Sequence, residues 1–220
     1  MSGNGQAGTA GEAARRAAEA IAAGEEVRRR VRALVLEALS RQRLDREGLR
    51  ATVREVAEGL LRGAQGAGAG SAGTLAEALR GIDEALGRSA EAVRAVLERW
   101  IAAGRDYSDH ELRAALSAFA KLEEDFLAAL GAAAEGAGGR AAEELRRWVD
   151  QARSGGTDTG RRVAAALAQL GARLSVASVE LALAGAQVAA EFGARFAELA
   201  GAVLGGMADA LARKEDAKGG

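Results

Sequence analysis

The chain has 220 residues, with no Cys, no Pro and a single His, and its 30 basic and 31 acidic residues leave a net charge of −1. The lack of Cys excludes disulfides, a thiolate nucleophile and zinc sites built from Cys, and one His cannot supply a multi-His metal centre. A protein that coats nucleic acid needs a basic surface, which this charge balance does not provide. We therefore expect no metal, no cofactor and no nucleic-acid partner.

The composition predicts an all-α fold. Ala, the strongest helix former, is abundant, Pro is absent, and 3% of the residues are aromatic. Because Ala and Gly bury little apolar area, the core of such a protein is thin. It is stable only if its helices approach closely or a partner surface completes the burial. We expect an elongated bundle of four to six helices.

The N-terminal region is predicted to contain a tail and one helix. Residues 1–11 are polar and Gly-rich, which is typical of a disordered tail. The first helix is predicted over about 12–42, with Gly24 as a candidate interruption. Its run Arg28–Arg32 is the densest basic cluster of the chain, with acidic residues within one or two turns. A solvated face is therefore the favoured interpretation, and binding of a phosphate or anionic lipid is left open.

Two further helices flank a Gly-rich stretch. One is predicted over about 45–63 and the next over about 75–104, with Thr74 as its N-cap. The intervening Gly63–Gly73 is expected to be a flexible loop. Within it, Gly68–Gly73 matches the letters G-x-G-x-x-G of a dinucleotide-binding loop. That motif needs a preceding strand, and a helix is predicted there instead, so we favour the loop.

The clearest helix start is Ser108–Glu111, an S-x-x-E capping box that opens a helix predicted over about 108–135. The single His, His110, lies within this box beside two acids, but capping already explains the Ser and the Glu. No cluster of acid, base, nucleophile or metal ligand is otherwise evident in the sequence. We therefore expect that the protein is not an enzyme.

A very long helix is predicted to follow. A short helix over about 140–153 and a turn precede it, and either Asp158 or Thr159 can cap it. The long helix is predicted over about 160–213, roughly 80 Å at 1.5 Å per residue. Gly205-Gly206 is either part of a close-packing pattern or a hinge.

The long helix carries an apolar stripe with a mean spacing close to 3.6 residues, and its middle is apolar on all sides. Such a helix is buried centrally or lies against an oily surface. The candidate interaction surface consists of Leu174, Leu181, Val188, Phe192, Phe196, Leu199, Val203 and Met207. Residues 214–220, which follow the helix, are expected to be a disordered tail.

Neither a secretory signal nor a membrane span is expected. The first residues lack the basic and apolar regions of a signal peptide. The longest uncharged apolar runs are about half of the ~18–20 residues that a span requires. Arg greatly outnumbers Lys, as in GC-rich coding sequences. We therefore expect a cytoplasmic bacterial protein.

Two resemblances bear on function. The stretch Ser175–Leu211 resembles the Ala-rich amphipathic segments of phasins, bacterial proteins that coat polyhydroxyalkanoate granules, which implies adsorption to a granule or lipid surface. The whole chain also resembles an uncharacterised bacterial family of Ala-rich helical proteins. That family has a GTDTG turn, here Gly156–Gly160, and a GMADAL ending, here Gly206–Leu211. The second resemblance implies no activity.

The sequence thus supports two functional hypotheses. The first is a non-enzymatic helical scaffold or interaction protein that forms a homo-oligomer through Ala- and Gly-rich helix faces. The second is a phasin-like coat, in which the apolar stripe of the long helix lies on a granule or lipid surface and the upstream helices face water.

Overall fold

Every regular element in the described part of the chain is an α-helix. The computed structural model describes residues 4–41, 46–67, 71–102 and 109–171. Its eight helices are α1 (Asn4–Ala23), α2 (Val27–Arg41), α3 (Arg46–Ala67), α4 (Ser71–Ala102), α5 (Asp109–Ala120), α6 (Leu122–Glu135), α7 (Gly139–Gly155) and α8 (Asp158–Gly171). The prediction of an all-α fold is confirmed. The long helix predicted to reach residue 213 begins as α8, and its continuation lies outside the described residues.

The predicted first helix is divided at Gly24, as the sequence suggests. Gly24 and Glu26 have φ angles of 69° and 51°, in the left-handed region that ends right-handed helices. The predicted tail over residues 1–11 is corrected by the structure, because α1 begins at Asn4. Helix α1 as a whole is rich in Ala, and it packs against α3.

The Gly-rich stretch between α3 and α4 is mostly helical, which corrects the loop predicted over Gly63–Gly73. Helix α3 continues to Ala67 and α4 begins at Ser71. Thr74 therefore lies inside α4 and does not cap it. At Gly63 the absence of a side chain lets α1 approach, which offsets the roughly 1 kcal/mol cost of a Gly in a helix, whereas Gly66 and Gly73 have no neighbour within 4 Å.

The helix predicted over about 108–135 is two helices, divided at Lys121. The Lys121 backbone N–H bonds to the carbonyl of Ala118 at 3.3 Å, a tighter turn than the α-helix makes. Helix α6 then begins with three acidic residues in its first turn, where negative charge favours a helix start. Helix α5 begins at Asp109, and Ser108 of the predicted capping box lies outside the described residues.

Helices α1 and α3 pack backbone against backbone. A Cβ atom added at Gly59 would collide with the carbonyl of Ala14, and one at Gly63 would lie 2.7 Å from the carbonyl oxygen of Ala18. The two glycines are one turn apart, and so are the two alanines. Glu55 closes the contact by accepting the backbone N–H of Ala14 at 3.2 Å, and burial raises the pKa of its carboxyl. This close approach is one of the two routes to stability that the composition left open.

The apolar residues form two clusters. The main core takes its buried residues from α1, α2, α3, α4, α6 and α7. The second cluster, called the α8 cluster below, lies between α8, α5 and the second half of α4. It consists of Ala90, Val93, Val96, Leu97, Ala115, Leu116, Phe119, Val163, Ala166 and Leu170. Leu122, at the start of α6, packs against both clusters.

One buried charge ties α3 to α6. The side chain of Asp125 is 1% exposed and accepts a hydrogen bond from Nε of Arg50 at 2.8 Å. A buried carboxylate is costly unless it is paired, and removing one partner of such a pair is strongly destabilising. This ion pair therefore fixes the register of the two helices in addition to their apolar contact.

The close approach of α1 to α3 makes opposite predictions for two glycines of the same helix. Gly59→Ala should destabilise the fold by about 1–3 kcal/mol, because the new methyl group meets the backbone of α1. Gly66→Ala should stabilise it by up to about 1 kcal/mol, because a Cβ there has no neighbour within 4 Å and Ala is the better helix former. Urea unfolding followed by circular dichroism measures both. Equal shifts in the same direction would contradict the close approach.

Candidate functional site

The candidate interaction surface lies beyond the end of α8. Its eight residues are Leu174, Leu181, Val188, Phe192, Phe196, Leu199, Val203 and Met207, and all of them are outside the described residues. Helix α8 carries the first residues of the same stripe. There, Val163 and Leu170 are buried in the α8 cluster, with Leu167 partly buried against it. The beginning of the stripe is therefore part of the protein's own core.

The N-terminus of α8 is held by a carboxylate from α4. The two oxygens of Asp83 accept the backbone N–H groups of Asp158 and Thr159, each at 2.9 Å. The hydroxyl of Thr159 donates to the backbone carbonyl of Asp83, also at 2.9 Å. Asp83 is 9% exposed and Thr159 is fully buried. A residue far away in the sequence thus satisfies two of the N–H groups that a helix start leaves unpaired.

A second carboxylate, from α6, holds the turn just before α8. Oε1 of Glu123 accepts the backbone N–H of Thr157 at 2.9 Å and its hydroxyl at 2.7 Å. The same Thr157 oxygen accepts the N–H of Gly160 at 2.8 Å, which makes Thr157 the N-cap of α8. The sequence predicted Asp158 or Thr159 for this role. We call Asp83, Glu123 and the Thr157–Thr159 turn the α8 clasp.

Two glycines make room for the α8 clasp. A Cβ at Gly160 would overlap the carboxylate of Glu123, and one at Gly87 would lie 2.8 Å from Cδ of Arg162. Arg162 in turn donates from Nε to Asp158 at 2.7 Å and forms an ion pair with Glu91 on α4. The Gly of the GTDTG sequence at position 160 thus leaves the space that the carboxylate of Glu123 occupies.

The α8 clasp is chemically a structural joint. Each carboxylate oxygen of Asp83 and Oε1 of Glu123 already accept hydrogen bonds from the chain. Among the described residues, no group of three or more His, Cys, Asp or Glu side chains could hold a metal ion. The arrangement can orient α8 and the chain that follows it, because it fixes the first turn of the helix from two sides.

Sequence reasoning missed both acids of the α8 clasp. Asp83 directly follows Ile82 in the apolar stripe of α4, and a carboxylate at the border of a core-facing stripe is a signal for a buried polar contact. The partner could not be identified, because Asp83 and Thr159 are 76 positions apart. Glu123 is followed directly by Glu124 and Asp125, and such an acidic run is typical of a helix side that faces solvent.

The basic run Arg28–Arg32 is largely neutralised by acidic neighbours. Arg28 and Arg32 both pair with Glu84 on α4, and Arg29 pairs with Glu26. Burial alone would raise the pKa of Glu84, but the hydrogen bonds from Arg28 and Arg32 outweigh it and hold that pKa below its ordinary value. The geometry favours the solvated, ion-paired face over an anion site.

The two weak motifs of the sequence have no structural support among the described residues. Ser71–Gly73, the second half of the G-x-G-x-x-G match, is helical, and helix α3 ends just before the match. A strand followed by a helix, which dinucleotide binding needs, is not the arrangement here. His110 lies in the first turn of α5, next to residues 103–108, which are outside the described residues.

Each of the described helices is too short or too polar to cross a bilayer.

Comparison with known proteins relates this chain to a protein family. A model of a family of unknown function (DUF6781) matches residues 4–213. The searches of curated proteins and of solved structures found no match.

The ion pairs of Glu84 make the stability of the bundle depend on pH. Because the pKa of Glu84 is lowered in the folded state, its contribution is present above the unfolded value of about 4.3 and is lost as the pH falls through the folded value. Glu84→Gln should cost about 0.5–1 kcal/mol at pH 7, as a partly exposed pair. The difference in stability between the wild type and Glu84→Gln should shrink below about pH 4. Thermal unfolding of both proteins from pH 3 to 7 measures this difference.

Glu77→Gln, on the same helix, is the matched control. Glu77 pairs with Arg80 one turn away and is more exposed than Glu84. At pH 7, Glu77→Gln should lower the free energy of unfolding by less than Glu84→Gln does. A stability difference between wild type and Glu84→Gln that stays constant down to pH 3 would contradict the assignment.

Proposed function

The chain belongs to the family of unknown function DUF6781, and from this premise and the geometry of the bundle we propose that it is a non-enzymatic helical scaffold. In this role, the described helices form a support, and residues 172–213, called the C-terminal segment below, join copies of the protein into a homo-oligomer. The proposal includes a cytoplasmic location in bacteria, as the composition suggests.

The observation that carries the proposal is the anchoring of α8. The α8 clasp fixes the first turn of the helix, and the α8 cluster buries Val163, Ala166 and Leu170 against α4 and α5. The C-terminal segment follows directly from this anchored helix, and its sequence continues the apolar stripe. The family model also includes the whole segment. Because the start of α8 is fixed, the C-terminal segment begins at a defined place on the bundle.

The apolar content of the C-terminal segment supports association. Burying one large apolar side chain contributes about 1.5–3 kcal/mol, so a few of its eight stripe residues suffice to hold two chains together. The segment is also rich in Ala and Gly. The contact of Gly59 and Gly63 with α1 shows that this chain already packs its helices through such residues.

The charge of the C-terminal segment bears on the kind of surface that it could bind. Ser175–Leu211 contains four acidic residues and one basic residue, so an anionic lipid surface would repel it. An uncharged polyester surface carries no such penalty, and the repulsion between two copies is small if their charges lie outside the apolar contact, where water and salt screen them. The phasin-like coat therefore stays as the alternative for granules, supported by the resemblance of this stretch to phasin segments.

We expect the wild-type protein to form an oligomer whose mass, measured by analytical ultracentrifugation, rises with concentration to a fixed limit. The double variant Leu181→Glu, Phe192→Glu should be monomeric, because two charges enter the apolar stripe. The control Ala164→Glu, Ala168→Glu places the same charges at exposed positions of α8 and should keep the oligomer. A wild type that stays monomeric, or a double variant that still associates, would overturn the scaffold.

Flotation with polyester granules and with phospholipid-coated oil droplets tests the coat. Salt-insensitive flotation of the wild type that is lost in the double variant would favour the coat. If the wild type keeps its oligomer mass and does not float, the coat is excluded and the scaffold is the hypothesis that remains.

A further inference from the structure

We propose that the α8 clasp is a latch: Asp83 and Glu123 decide whether α8 stays on the bundle, and when their hydrogen bonds to the start of α8 are lost, α8 detaches while the helices of the main core stay folded. After release of α8, the C-terminal segment would no longer begin at a fixed place on the bundle. The inference that release changes assembly rests on the proposed function, whereas the separate release of α8 does not.

The first argument is the kind of anchor that α8 has. Its N-terminal N–H groups are paired with carboxylates of two other helices, at 2.9 Å for Asp83 and 2.9 Å for Glu123. Within its own first turn, Thr157 supplies one further cap, to Gly160. Losing the two carboxylates leaves buried N–H groups without partners, which opposes docking of the helix start. Attachment of α8 is therefore sensitive to these two residues.

The second argument is the separation of the two apolar clusters. The buried apolar residues of α8, which are Val163, Ala166 and Leu170, belong to the α8 cluster and not to the main core. Proteins open locally along such boundaries, because a small cluster can be exposed without breaking the larger one. Detachment of α8 therefore leaves the contacts of α1, α2 and α3 intact.

The third argument is the link between α7 and α8. Helix α7 ends at Gly155 and α8 begins at Asp158. Gly156 has a φ angle of 75° and a ψ angle of 163°, a conformation that is essentially restricted to glycine. A glycine in the link lets the chain change direction there at little steric cost. The side-chain contacts along α8, Glu91 with Arg162 and Gln169 with Arg94, are at the surface, where such pairs contribute little.

The test is hydrogen exchange of the full chain, read by mass spectrometry, with Asp83→Asn. The Asn amide keeps the size of the side chain, but its NH₂ group faces one of the two N–H groups that Asp83 accepts. We expect the amides of residues 158–171 to exchange at least about tenfold faster, equivalent to about 1.4 kcal/mol, with α1, α2 and α3 unchanged. Glu84→Gln is the control. Glu84 is next to Asp83 in the sequence, but its carboxylate pairs with α2, so this substitution should leave the amides of α8 protected from exchange.

Two results would overturn the latch. Faster exchange throughout the bundle would show that α8 cannot open alone, and unchanged exchange in α8 would show that the carboxylate does not hold it. If Asp83→Asn does not fold, Glu123→Gln removes one charge from the half-buried side of the α8 clasp and gives the same readout. Ultracentrifugation of the same samples separates the two proposals. A monomeric wild type counts against the scaffold, while the exchange pattern still decides the latch.

Discussion

The size of Ala and Gly side chains is the constraint on which the rest of this structure depends. Where Ala and Gly residues of two helices face each other, each contact buries little apolar area, so the helices approach until backbone meets backbone, as at Gly59 and Ala14. Gly81 repeats this geometry between α4 and α2, where a Cβ would lie 2.5 Å from the carbonyl of Arg28. Beside that contact, Glu84 of α4 pairs with Arg28 and Arg32 of α2. The close approach and the ion pairs thus hold the same two helices together.

The buried and half-buried acids have distinct roles, which depend on the donors that surround them. Asp125 is paired with an arginine, Asp83 with backbone N–H groups, and Glu55 with one N–H while burial raises its pKa. A carboxyl group has two oxygens that can each accept a donor, which lets Asp83 hold two N–H groups at once. Asp83 thus adds, from another helix, to the local cap that Thr157 provides. The price of this arrangement is that α8 depends on α4 and α6 for its start.

Local sequence patterns predicted the helical class and most helix positions, because Ala-rich periodic stretches favour helix wherever they occur. The pattern failed where a tertiary contact outweighed propensity. Gly63 was interpreted as a helix end, but it lies within α3 because α1 needs the space. The division at Lys121 was missed, since apolar residues continue on both sides of it. The α8 clasp could not be predicted for a different reason. The hydrogen bonds of Glu123 and Asp83 join residues 34 to 76 positions apart, and a local sequence pattern contains no information about such a pairing.

The separation in sequence between the two halves of the α8 clasp has a consequence for how the protein is made. A ribosome synthesises the chain from its N-terminus, while a domain generally folds as a unit. Helices α4 and α6, with Asp83 and Glu123, are synthesised before the turn that they receive. Both carboxylates of the α8 clasp therefore leave the ribosome before α8 does. The C-terminal segment is synthesised after every residue of the α8 clasp, so the parts of its anchor exist before it does.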